Sequence, residues 1–145
     1  MDDLKKGVDF IGITCVFWCH DGNGNFVLSK RSNNCRDEQG TWDCGAGSME
    51  FGEDFETTVR REVQEEYCTD PISIKQVGML NVLREHGGKP THWIAVVHAV
   101  EVDPKEVAIG EPHKIDELDW FTLDGMPEPL HSKLMDHFSF FEPHL

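Results

Sequence analysis

GSMEFGEDFETTVRREVQEEYC, residues 47–68, sets a glycine-containing approach in front of a charged segment with helical spacing. Phe55, Val59 and Val63 recur every four residues, an apolar stripe that predicts a helix docked on a sheet. Glu53 and Asp54 stand at its front end, where negative charge suits the helix dipole, and Asp70-Pro71 supplies a stop. Glu62, Glu65 and Glu66 fall at i, i+3 and i+4, so three like charges project from neighbouring positions. Such pairs cost an isolated helix only about 0.2–0.5 kcal/mol each. A solvated acidic face is therefore one reading, and a seat for a cation is the other.

Outward from this helix the chain reads mostly as strands. VDFIGITCVFW and FVLSK, joined by HDGNGN, predict a hairpin. RSNNCRDEQG is a polar loop, and TWDCGAGSMEFGE reads as irregular. Beyond the helix, PISIKQVGMLNVLRE and THWIAVVHAVEV predict a second hairpin across HGGKP. IDELDWFTL reads as a short strand, and LHSKLMDHFSFF as a terminal helix with Leu130, Leu134 and Phe138 on one side. Strands on both sides of a central helix imply a mixed β-sheet with helices packed on it, an α+β or α/β/α sandwich. The expected organisation is one domain over residues 1–145.

Composition narrows the partners. The 145 residues carry a net charge of −14, which disfavours nucleic acid and acidic membrane surfaces. A small phosphorylated ligand remains compatible if a divalent cation bridges it to so acidic a protein. No apolar run approaches the ~20 residues that span a bilayer. The start, MDDLKKGVDF, shows no leader pattern, and the five cysteines lack a disulfide framework, so a reducing cytoplasmic location is expected.

The stretch from Gly47 resembles the Nudix box: Gly, five residues, Glu, seven residues, then Arg-Glu-U-x-Glu-Glu-x-Gly-U, with U a bulky aliphatic residue. Gly47, Glu53, Arg61, Glu62, Val63, Glu65 and Glu66 match it in identity and spacing. Cys68 and Thr69 depart from its Gly-U ending, and a left-handed residue at 68 costs about 1 kcal/mol when it is not glycine. Gly45-Ala46-Gly47 replaces the frequent Pro-Gly-Gly. The resemblance is to MutT-type hydrolases and implies a Nudix fold and a magnesium-dependent pyrophosphohydrolase, with manganese as a substitute. It also implies roles. Glu65, Glu66 and the Gly47 carbonyl hold metal, Glu62 is a ligand or handles the attacking water, and Arg61 pairs with Glu53 to fix the loop–helix junction. The general base comes from the box or a later loop, with Glu111 in GEPHK the candidate outside it and Glu50 an outer ligand.

Arg31, Arg36 and Lys114 are candidate phosphate contacts, and Trp42 a candidate stacking surface. A nucleoside triphosphate or related nucleotide is the leading substrate class. Coenzyme A and ADP-ribose are alternatives, although the proline of many ADP-ribose enzymes is absent: Arg84 and Glu85 stand there. A non-catalytic nucleotide-binding module is the alternative of another class, disfavoured because every box glutamate is kept. Isopentenyl diphosphate isomerase, which shares the fold, is disfavoured because Gly47-Ser48 stands where its Gly-His belongs. The resemblance also allows a homodimer.

Overall fold

The structure, a computed structural model, describes residues 3–145. Met1 and Asp2, which open the segment read above as leaderless, lie outside it. Seven strands form one mixed sheet: β1 (Gly12–His20), β2 (Phe26–Arg31), β3 (Trp42–Asp43), β4 (Gly45–Ser48), β5 (Ser73–His86), β6 (Lys89–Glu101) and β7 (Ile115–Phe121). Its spine runs β3-β2-β1-β6-β5, with β4 beside β1 and β7 beside β2. β1 and β6 pair in parallel, Gly12 to Trp93 through His20 to Glu101, and the other pairings are antiparallel.

Strand alternation divides the core into two layers. Cys15, Phe17, Cys19, Val27 and Val100 face helix α1 (Phe55–Tyr67), which buries Val59, Val63 and Tyr67 against them. Val16, Trp18, Phe26, Leu28 and Val97 face helix α2 (Leu134–Phe141), which contributes Leu134, Phe138 and Phe141. The result is the expected α/β/α sandwich. In the second layer the Trp18 indole N–H donates to His137 Nδ1 at 3.0 Å, and burial lowers the His137 pKa to about 4. That imidazole is a neutral acceptor at physiological pH.

The second hairpin forms as expected. Gly87 and Gly88, with φ of 58° and 81°, close β5 onto β6 through a two-residue turn that needs positive φ at both positions. The first hairpin differs: β1 and β2 share one rung, His20 to Phe26, and β2 instead pairs along its length with β7. The segment read as irregular contains β3 and β4, and β4 lies along β1 from Ser48↔Thr14 to Gly45↔Phe17. Among the described residues no helix is long and apolar enough to cross a membrane.

Candidate active site

β4 delivers the chain to α1 through a loop that its own carboxylates organise. Asp54 caps the helix, its Oδ1 accepting from the Thr57 amide at 2.8 Å. Glu53 gathers the junction: its carboxylate accepts from the Glu50 amide at 2.9 Å, the Thr58 hydroxyl at 3.1 Å, and Arg61 Nε and Nη2 at 2.9 Å each. This two-pronged guanidinium contact is the main reason the Glu53 pKa falls to about 2. Arg61 Nη2 also donates to the Ser48 carbonyl at 3.3 Å, tying the helix to the end of β4. The Arg61–Glu53 pairing read from the sequence is present in this geometry.

Gly47 sits so close to α1 that any side chain there would overlap Cγ and Cδ of Glu62. Glycine at this position follows from packing alone. Glu62, its side chain 14% exposed, accepts from Arg61 Nη1 at 2.7 Å, and the more exposed Glu65 lies 3.7 Å from the same nitrogen. Burial raises the Glu62 pKa, Arg61 opposes the rise, and Glu65 and Glu111 add to it. Burial also pushes Glu66 well above the ordinary carboxylate range, reinforced by Glu62, Glu111 and Asp43. Glu66 Oε2 is buried and has no hydrogen-bond partner.

Glu111 arrives from the loop before β7. The Gly110 amide donates to the Glu66 carbonyl at 2.9 Å and the Ala108 amide to that of Tyr67 at 3.0 Å, so this loop caps the exposed carbonyls at the end of α1. Lys114 stays with it, 3.8 Å from Glu111. Cys68, the departure from the glycine of the box, adopts φ 60° and ψ 24°, the left-handed conformation anticipated for that position.

The expected metal ligands thus share one corner, but they do not converge. Among the described residues no three His, Cys, Asp or Glu side chains form a group that could hold a metal ion. The physical reason is Arg61, which stands against Glu62 and Glu65 as their counter-charge. The donor set nonetheless fits a hard divalent cation: it is all oxygen, like-charged, and includes one buried oxygen without a partner.

The opposite face of the sheet holds a cavity of about 480 Å³. Its floor is Val16, Ala46, Val82 and Ala95, and Arg31 and Arg36, the candidate phosphate contacts, line its wall. Lys114 does not reach it, remaining beside Glu111. Trp42 does not reach it either: 8% exposed, it packs edge-on against Phe121 and is a core residue. Asp43, Arg84 and Lys6 are among the wall residues that were not foreseen. Asp43 has its pKa raised by burial, with His131 and Arg31 each 4.0 Å from its carboxylate. Arg84 shares one face of β5 with Val82 and His86, a placement that strand alternation carries once the hairpin is known. Lys6 donates to Ser48 Oγ at 3.1 Å, the Met49 carbonyl at 3.0 Å and Glu50 at 3.1 Å, joining the cavity to the loop before α1. Nothing local in the sequence signals that contact, and it makes Glu50 a partner of Lys6.

The Nudix domain family model matches residues 11–140. A MutT Nudix hydrolase from Burkholderia pseudomallei superposes with a TM-score of 0.77 at 25% identity, over 89% of this chain and 96% of that one. The MutT protein from Methanosarcina mazei Go1 is 28% identical over 98% of each chain, with a TM-score of 0.71. The Nudix domain of Shewanella oneidensis NrtR, solved with ADP ribose, shares the fold at 16% identity and a TM-score of 0.69, over 97% of this chain and 90% of that one.

Proposed function

Because the chain belongs to the Nudix family and is a Nudix pyrophosphohydrolase, we propose that it hydrolyses the diphosphate bond of a nucleotide, most simply a nucleoside triphosphate or a related compound. The single observation carrying the site assignment is Glu66: one of its carboxylate oxygens is buried without a hydrogen-bond partner, and Glu62 and Glu111 add like charge to its surroundings. That arrangement is unfavourable alone and favourable around a cation.

Glu62, Glu65 and Glu66, with the Gly47 carbonyl and Glu111, are the residues to hold magnesium, or manganese in its place. When bound, such a cation neutralises and polarises the diphosphate and makes water a better nucleophile at neutral pH. The protein's part is positional. Glu53 and Arg61 fix the junction between α1 and β4, the strand that carries Gly47, and the capped end of α1 holds Glu66 against the loop of Glu111. Water attacks one phosphorus as the bridging P–O bond breaks, and its proton passes to a carboxylate, Glu62 or Glu111. The cavity beyond Lys6 seats the rest of the substrate.

ADP-ribose is the second reading, supported by the ligand of the NrtR domain, and coenzyme A remains an alternative. The net charge of −14 argues against a nucleic-acid partner. One domain over residues 1–145, a cytoplasmic location and a homodimer complete the proposal. The test is incubation of nucleoside triphosphates, ADP-ribose, coenzyme A, dinucleotides and sugar nucleotides with magnesium, read as the nucleoside monophosphate and pyrophosphate, or the two phosphomonoesters, that cleavage of the diphosphate bond leaves. Turnover of at least one compound, strongly reduced in Glu65→Gln and Glu66→Gln, supports the reading. Unchanged activity in those variants overturns the site assignment, and saturable binding without product supports the binding-module alternative.

A further inference from the structure

The spine of the sheet ends in a long bare strand. β5 has 14 residues and pairs with β6 alone, whereas β3, at the other end of the spine, has two. Among the described residues no strand pairs with the outer edge of β5, and none of its own residues is buried. A free edge is a template for another strand, and folds blunt such edges with charges, prolines, short lengths or bulges. β5 has one bulge, between Gln76 and Gly78. The six residues from Gly78 to Leu83 hold neither a charge nor a proline.

Both faces of this stretch are apolar. Met79 lies opposite Val96, which lies opposite Cys15 of the α1 layer, so Met79 and Leu83 share the α1 side of the sheet. They are 56% and 64% exposed. Leu80 and Val82 take the other side and pack against the α2 layer. Of the 27 acidic residues β5 carries only Glu85, against two basic ones, Lys75 and Arg84. For two copies of a chain of net charge −14, this edge offers approach with little of the repulsion that the rest of the chain supplies.

We propose that the free edge of β5 pairs antiparallel with the same edge of a second copy, about a two-fold axis at Asn81. This rests on the homodimer reading above and gives that dimer its surface. In this register Met79 faces Leu83 and Leu80 faces Val82, each twice, while Arg84 faces Gly78, so no like charges stand opposed. Moving the axis by one residue sets Met79 against Asn81 or Glu85 and loses the match. The axis runs perpendicular to the sheet, so both α1 helices lie on one side and both cavities on the other. The contact uses the same patch on each copy and therefore closes at two. Gly78 to Arg84 makes a strip about 24 Å long in a layer about 10 Å thick. That is short of the ~800 Å² per partner of a standard interface, so the dimer is of the weak, concentration-dependent class.

The test is sedimentation equilibrium of the whole chain from about 1 μM to about 1 mM, where a monomer–dimer equilibrium is expected. Met79→Lys with Leu83→Lys sets lysine opposite lysine twice and is expected to weaken the dimer at least about tenfold. Mixing that double variant with Met79→Glu/Leu83→Glu is expected to restore a dimer of one copy of each. Both positions are exposed, so the substitutions leave the monomer folded. Amide hydrogen exchange supplies a second readout: every other amide between Gly78 and Arg84 is expected to slow as the concentration rises. A chain that stays monomeric throughout leaves the edge to a different partner and overturns both the surface and the homodimer. A dimer that the lysines do not weaken, that the mixture does not restore, or that leaves β5 exchange unchanged overturns the surface alone. Growth beyond two copies overturns the two-fold pairing. Hydrolysis is scored separately, and its absence sinks the mechanism without touching this interface.

Discussion

Gly47→Ala tests how β4 meets the helix. The new Cβ would stand 2.5 Å from Glu62 Oε1 and overlap Cγ and Cδ, well inside the ~3.5–4.0 Å at which carbon atoms rest. Glu62 is half-buried and its Oε1 is held by Arg61 at 2.7 Å, so relief requires rotating the carboxylate away from that partner. Overpacking of this kind costs about 1–3 kcal/mol, and the lost contact to a part-exposed arginine adds about 0–1 kcal/mol. At about 2–4 °C per kcal/mol for a chain of this size, Tm should fall by roughly 2–16 °C. Urea unfolding in Glu62 and Glu62→Ala backgrounds isolates the cause. Truncating Glu62 removes the obstacle, so Gly47→Ala should cost less than about 0.5 kcal/mol there. Equal costs in the two backgrounds would refute the reasoning, because the clash would then lie elsewhere.

Cys68→Gly should stabilise the protein by about 1 kcal/mol in the same assay, since φ of 60° strains a residue with a Cβ. Lys6→Met, which removes three hydrogen bonds to Ser48, Met49 and Glu50, should lower kcat more than about twofold while Lys6→Arg retains most of it. Equal kinetics in Lys6→Met would show that the loop holds its position without this lysine. In metal-free protein Glu53 and Glu66 act in separate pH windows. Glu53, held at about 2 against an ordinary 4.5, supplies stability above pH 4.5 that is lost as the pH falls toward 2. Glu66, raised from 4.5, supplies stability below that pH which is lost as the pH rises through its folded value. Urea midpoints of metal-free protein should therefore decline above pH 4.5, and Glu66→Gln should flatten that decline. The same slope in both proteins would remove Glu66 as its source.

The parts legible in the sequence are those set by short-range spacing. The stripe of Phe55, Val59 and Val63, the acidic front end at Glu53 and Asp54 and the glycine turn at residues 87–88 each act within a few residues, and each appears where the pattern places it. The Arg61–Glu53 contact is similar, eight positions apart across one junction. Long-range pairing was not legible. FVLSK carries no mark that says it will pair with β7 rather than with β1, because either partner satisfies its edge. Trp42 reads as core before it reads as a stacking surface, and the arrival of Phe121 places it in the core. Lys6 reaches Ser48, 42 positions away, because the amino-terminal turn folds over Trp93, which no local pattern encodes. Glu111 was found by resemblance, and its nearness to Glu66 depends on backbone contacts of the preceding loop.

The most direct test of the central claim is anomalous diffraction from crystals soaked in manganese. The expected result is a peak beside Glu62, Glu65 and Glu66, with Arg61 withdrawn from its 2.7 Å contact with Glu62. A peak held only by other residues, with this corner of the helix empty, would contradict the account.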